Sequence, residues 1–258
     1  RNCNMAIDFG KTAHDYSTYR QGFPPAFFER LAQRGLIGPG KRVLDVGTGT
    51  GTLARGAACA GSQATGIDIA AKLMQQARLL DEEAGVQVIY HMARAEATGL
   101  TSASFDCVMA GQCWHWFDRP RAAAEIWRLL TTGGKVVIAH LDWIPLPGNV
   151  VAATEQLILK HNPRWSMGGG SGLYPVWLAD LALAGFSDLE TFSFDLFLAY
   201  SAEAWRGRIR ASAGVAASLS PQAVTRFDQE LSEILWRDFP QEPLQIHHRV
   251  WAVIGTKP

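Results

Sequence analysis

Between residues 41 and 140 the hydrophobic and polar positions follow two alternating rhythms. Short apolar runs read as strands: Arg42 to Gly47, Ala64 to Ile69, Val86 to Met92, Phe105 to Ala110 and Lys135 to Leu141. Between them lie stretches with helical spacing, Leu53 to Ala60, Ala70 to Glu83 and Pro120 to Leu130. In the second of these, Leu73, Ala77 and Leu80 recur at i, i+4 and i+7. Such alternation predicts a parallel sheet covered by helices on both faces, because parallel strands need long crossover connections. The unbroken run Val136-Val137-Ile138-Ala139 suits a strand buried on both sides.

Past residue 141 the rhythm loosens. Helices are predicted over Val150 to Lys160, Pro175 to Leu183, Ala202 to Ala213 and Pro221 to Arg237, with strands over Leu189 to Leu198 and His247 to Gly255. Ser166 to Gly172 holds four glycines in seven residues and reads as a long turn or a mobile lid. There is no internal repeat and no linker of disordered composition.

With 258 residues, 48% hydrophobic and 19% charged, the chain has ample material for a large core. Its 24 Lys+Arg balance 24 Asp+Glu, which argues against a nucleic-acid partner, since that function needs a basic excess or stripe. The absence of a long apolar run and of a signal-like start at Arg1 to Gly10 predicts a soluble, cytoplasmic protein with no membrane partner. Cys3, Cys59, Cys107 and Cys113 show no C-x-x-C pairing, and the seven histidines show no ligand spacing, so neither disulfides nor a metal are expected.

The chemistry concentrates at Val43-Leu44-Asp45-Val46-Gly47-Thr48-Gly49-Thr50-Gly51, a strand running into a G-x-G-x-G turn that opens a helix. Glycines are required where a ligand approaches the backbone and the turn needs left-handed φ. The spacing departs from the dinucleotide fingerprint, because Thr52 stands where that pattern has Gly or Ala. Asp68 ends the second strand 21 residues after Gly47, where a carboxylate accepts both hydroxyls of a ribose; its bland role is a helix N-cap. Together they point to a nucleoside ligand.

These residues resemble the class I S-adenosylmethionine-dependent methyltransferases, type 11, the group of ubiquinone-biosynthesis-like and trans-aconitate-like enzymes. Asp45 to Gly51 is similar to the D-x-G-x-G-x-G motif, which implies that Asp45, Gly47, Thr48, Gly49 and Gly51 receive the cofactor's methionine part. The resemblance further implies Asp68 and Ile69 at the ribose and Leu73, Ala95 and Glu96 around the adenine, the last where Asp is usual. It also places Gly111 and Gln112 beside the sulfonium, and it matches Tyr16-Ser17-Thr18-Tyr19-Arg20 to the family's N-terminal helix, giving Tyr16, Tyr19 and Arg20 cofactor contacts. Tyr16 and Tyr19 have a packing role as their alternative. The implied architecture is α/β, doubly wound, a mostly parallel seven-stranded Rossmann-like methyltransferase sheet with the last strand antiparallel and helical cap insertions. It is read as one domain: 1–40 as lid helices, 41–140 as cofactor core, 141–258 as acceptor-side cap and final strands.

The implied activity is methyl transfer from S-adenosylmethionine to the O, N or C of a small molecule, by a monomer or homodimer. His115, in Cys113-Trp114-His115-Trp116-Phe117-Asp118 after the fourth strand, is the candidate general base, with bracing of the turn as its alternative. His140 is a second candidate; it shares a strand side with Asp142, since residues two apart on an extended chain point the same way. Trp116, Asp142 and Trp143 are candidate acceptor contacts, with Arg206 and Arg210 for an anionic group. Trp165, Trp177 and Trp205 are further aromatic residues on the acceptor side or in the core. Two other classes share the cofactor turn: a non-catalytic S-adenosylmethionine-binding regulator and, explaining fewer residues, a nicotinamide-dependent oxidoreductase. The segment Ala110-Gly111-Gln112-Cys113 lacks the N/D-P-P-Y string of adenine-specific DNA enzymes.

Overall fold

The computed structural model describes residues 22–258. Its elements in chain order are α1 (Pro25–Gln33), β1 (Arg42–Val46), α2 (Thr52–Cys59), β2 (Gln63–Asp68), α3 (Ala71–Ala84), β3 (Val88–Met92), β4 (Phe105–Gly111), α4 (Arg119–Leu129) and β5 (Leu130–Trp143). There follow α5 (Val150–His161), α6 (Val176–Leu183), β6 (Ser187–Tyr200), α7 (Ala202–Arg210), α8 (Pro221–Asp238) and β7 (Leu244–Thr256). The strands form a seven-stranded sheet in the order β3-β2-β1-β4-β5-β7-β6.

Strands β3, β2, β1, β4 and β5 pair in parallel, with Asp45 opposite Gly66 on one side and Met109 on the other. The Gly133 N–H donates to the Lys257 carbonyl at 2.8 Å, and Ile144 N–H donates to the His247 carbonyl at 2.9 Å. Residue numbers rise along β5 as they fall along β7, so β7 is antiparallel. The mostly parallel seven-stranded sheet with an antiparallel last strand is therefore present.

The chain divides into two compact units. The first comprises Gly22–Leu141, Leu173–Phe194 and Val250–Pro258. Its core joins Leu44 and Val46 of β1, Val108 and Ala110 of β4, Val136 and Ile138 of β5 and Ile126 of α4, all fully buried. These strands are covered on both faces, which is why they carry unbroken apolar runs; the edge strand β3 exposes Ile89 and Met92. Helix α4 starts where Asp118 accepts a hydrogen bond from Arg121 N–H and a proline occupies the first turn, where a missing N–H costs nothing.

The second unit comprises, within the described residues, Asp142–Gly172 and Asp195–Arg249. Its core gathers Ile158 of α5, Trp205 and Ile209 of α7, and Phe227 and Leu231 of α8. Its helices begin on Asn149, Ser201 and Ser220, each accepting the backbone N–H three residues on. Helix α7 ends at Arg210 rather than Ala213, because Ser212 N–H turns back to the Ile209 carbonyl before Gly214. Among the described residues no helix is long and apolar enough to cross a membrane.

Candidate active site

The site is built where the sheet's order reverses: β1 is flanked by β2 on one side and β4 on the other. Ligands of open α/β sheets bind at the carboxyl ends of strands at such a switch point. There the chain turns through Gly47, Gly49 and Gly51, with φ of 68°, 54° and 79°. A Cβ on Gly47 would lie 2.9 Å from Cys113 Sγ, so at that position glycine answers to space as well as to φ.

Two carboxylates hold the turn. Asp45, at the end of β1 and 2% exposed, accepts the Thr48 hydroxyl at 2.7 Å and the Ala54 N–H at 3.1 Å. Burial pushes its carboxyl up to about 7, against the pull of those hydrogen bonds. Asp68, at the end of β2, accepts Gly49 N–H on one oxygen and Ala70 N–H on the other, both at 2.8 Å. The N-cap of α3 is Ala70, so Asp68 is not the helix cap; its oxygens keep lone pairs beyond these two bonds. Ile69 and Met92, 66% and 71% exposed, flank it at the ends of β2 and β3, whereas Leu73 is buried in the first turn of α3.

The other expected cofactor residues are held by the protein itself. Glu96 accepts Asp118 N–H at 3.1 Å and pairs with Arg94 at 3.3 Å, with Ala95 buried beside it. Gly111 ends β4, and Gln112, at φ 64°, donates from Nε2 to the Leu141 carbonyl at 2.6 Å. Tyr16, Tyr19 and Arg20 lie outside the described residues.

After β4 a short 3₁₀ turn, Trp114–Trp116, is anchored by the buried Trp114 indole, which donates to Asp180 at 3.0 Å. The turn carries His115 to within 5.3 Å, ring centroid to centroid, of His140 on β5. Trp116 packs on His115 at 4.4 Å, while Tyr174 and Trp177 enclose the buried His140 at 4.6 and 5.1 Å. Two sequence-distant histidine candidates thus meet at the ends of neighbouring strands.

A family model described as a methyltransferase domain, type 11, matches residues 44–138. A ubiquinone biosynthesis O-methyltransferase from Xanthomonas axonopodis pv. citri is 33% identical over 193 residues, covering 73% of this chain and 77% of that protein. The chain belongs to the class I S-adenosylmethionine-dependent methyltransferases, type 11. An uncharacterized methyltransferase of Mycobacterium tuberculosis is 29% identical over 154 residues, or 57% of this methyltransferase. The chain spans 60% of that relative's length. Phosphoethanolamine N-methyltransferase 2 from Haemonchus contortus, solved with S-adenosyl-L-methionine, shares the fold at a TM-score of 0.54 and 20% identity, covering 95% of this chain and 56% of that one.

In the second unit of the methyltransferase, Trp143 donates from its indole to Glu155 at 2.8 Å. The other oxygen of this buried carboxylate accepts Gly169 N–H at 2.8 Å. Arg249 donates to the Ser171 carbonyl at 2.9 Å, so the glycine-rich segment is tied at two points. The Arg208 guanidinium lies 5.1 Å from the Trp143 ring, and Asp142 directly precedes that tryptophan. Arg206 and Arg210 both engage Asp228 of α8, the latter at 3.0 Å. Burial alone would raise the Asp228 carboxyl, but the two guanidiniums hold it below the ordinary carboxylate range. Trp177 and Trp205 are core residues of their units.

Sequence reasoning missed Glu155, Met92 and a buried trio, Arg55, Asp81 and Tyr90. Asp81 carried a legible signal: it sits in the inward stripe Leu73, Met74, Ala77, Asp81 of α3, where Leu80 was expected and is only half-buried. An acid on an apolar stripe needs a partner.

Proposed function

We propose that this methyltransferase transfers a methyl group from S-adenosylmethionine to an oxygen, nitrogen or carbon of a small molecule. The observation that carries the reading is the Asp68 carboxylate fixed by Gly49 N–H beside the glycine turn, at the switch point of the sheet. The residues present fit the cofactor: Asp68 for a ribose, Gly47 to Gly51 for close backbone approach to the methionine part, and the exposed aliphatic faces of Ile69 and Met92 for a purine ring. Bound there, the cofactor supplies an electrophilic methyl on a sulfonium. Gly111 and Gln112 border that end, and the family resemblance adds Tyr16, Tyr19 and Arg20 as proposed contacts.

His115 takes the proton that the acceptor loses, with His140 packed behind it as a second basic group. Rate then comes mainly from alignment in a water-poor site, as for any in-line displacement. Trp116, Asp142 and Trp143 are the proposed acceptor contacts. The likeness to a ubiquinone biosynthesis O-methyltransferase supports a small-molecule acceptor. Arg206 and Arg210 share Asp228, so any contact they make to an anionic acceptor competes with that carboxylate.

Calorimetric titration with S-adenosylmethionine, S-adenosylhomocysteine and NADH tests the reading. Micromolar binding of the first two is expected. Silence with both, or preference for NADH, would overturn it, and binding without turnover on any acceptor would point to a regulator.

Asp45 gives a pH prediction for the ligand-free protein. Its folded carboxyl titrates at about 7 against an ordinary 3.8, so the folded state binds more protons between those values. Its contribution is therefore most favourable below 3.8 and declines as pH rises through about 7. Denaturant unfolding of wild type and Asp45→Asn across this range should show wild type losing stability relative to the variant. A constant difference would contradict it.

A further inference from the structure

Behind the glycine turn lies a largely buried chain of polar groups that no step above uses. Arg55, in the first turn of α2, donates from Nη2 to the Thr50 carbonyl at 2.9 Å, between the second and third glycines of the turn. Its Nη1 donates to Asp81 of α3 at 2.8 Å. The other oxygen of Asp81 accepts the Tyr90 hydroxyl from β3, also at 2.8 Å. The Arg55 and Asp81 side chains are 17% and 6% exposed. Tyr90 reaches back to the turn: a Cβ on Gly51 would overlap its hydroxyl oxygen, and a Cβ on Gly66 would lie 2.7 Å from its ring.

Three positive-φ glycines leave the turn many conformations to lose when it is fixed in one. Asp45 and Asp68 fix Thr48 and Gly49. Among the described residues, the side-chain hydrogen bond to the Thr50 carbonyl comes from Arg55. A buried ion pair adds little net stability once its desolvation is counted, since apolar side chains of similar size hold a fold together as well. What a guanidinium adds is direction, because its planar fork addresses a carbonyl and a carboxylate at once.

We infer that Arg55, oriented by Asp81 and Tyr90, is a positioning residue that holds the glycine turn in its cofactor-binding form and thereby sets affinity for S-adenosylmethionine. The inference rests on the proposed function and identifies what preorganises that site.

Titration of S-adenosylmethionine and of S-adenosylhomocysteine into the full chain, with stoichiometry and melting temperature recorded for each variant, tests it. Arg55→Met should raise both Kd values about tenfold or more at a stoichiometry near one. Arg55→Lys, which keeps the charge opposite Asp81 but not the fork, should fall between wild type and Arg55→Met, and Tyr90→Phe should raise Kd about threefold. A bracing role alone would lower melting temperature or the binding-competent fraction and leave Kd unchanged. Wild-type binding with an Arg55→Met Kd within twofold overturns the inference while the proposed function stands. Should Arg55→Met not fold, an unchanged Kd in Arg55→Lys overturns it equally. Absence of binding by wild type overturns both.

Discussion

Asp68→Ala is expected to weaken S-adenosylmethionine binding by about two to four orders of magnitude, because hydrogen bonds to a charged group contribute roughly 1.5–3 kcal/mol each and a ribose offers two. The loss has a second source within the protein. The same carboxylate accepts Gly49 N–H and Ala70 N–H, so its removal also frees the turn and the entry to α3. Both amides lie near the surface, where water substitutes, and the cost in folding stability should stay near 1 kcal/mol. Asp68→Asn keeps one acceptor and should lie between the two. Calorimetry with a parallel thermal melt separates the effects, and an unaltered Kd in Asp68→Ala would remove the ribose assignment.

Gly51→Ala should be the most damaging small substitution in the turn. Residue 51 sits at φ 79°, a conformation that costs an L-residue about 1–2 kcal/mol. The new methyl would overlap the Tyr90 hydroxyl and stand 3.0 Å from Ala77 Cβ, and overpacking of this kind costs roughly 1–3 kcal/mol more. A total of about 2–5 kcal/mol in denaturant unfolding follows. Because the two costs have separate origins, Tyr90→Phe should relieve only the steric part. The double variant should therefore be more stable than the sum of the single effects, by about 1 kcal/mol, and strict additivity would show that Tyr90 is not what Gly51 avoids.

Much of this architecture was legible because its elements carry local signals. Continuous apolar runs in β1, β4 and β5 mark strands buried on both faces, and Asp118, Asn149, Ser201 and Ser220 mark helix starts. The start of β5 at Leu130 was not legible, since Thr131-Thr132-Gly133-Gly134 reads as a turn; it is extended because Gly133 and Gly134 pair with Lys257, far along the chain. The glycine turn and Asp68 could be read from spacing. The pairings Arg55 with Asp81, Trp143 with Glu155 and Arg206 with Asp228 could not, because each joins residues on different elements whose meeting is fixed by the fold. The approach of His115 to His140 is of the same kind.

The reversal of strand order at β1 also has a bearing on how the protein is made. Arg42 and Asp106 are joined at the root of the β1–β4 seam by bonds between residues 64 apart in sequence. Closing so long a loop costs entropy before any pairing rewards it, and parallel seams of this kind form slowly. On a ribosome, β1 emerges with its partner edge unsatisfied until β4 has been synthesised. During that interval an apolar strand with open N–H and carbonyl groups is a template for pairing with other chains. The stretch proposed to receive the cofactor thus passes through synthesis with an open strand edge, and slower expression should raise the yield of binding-competent protein.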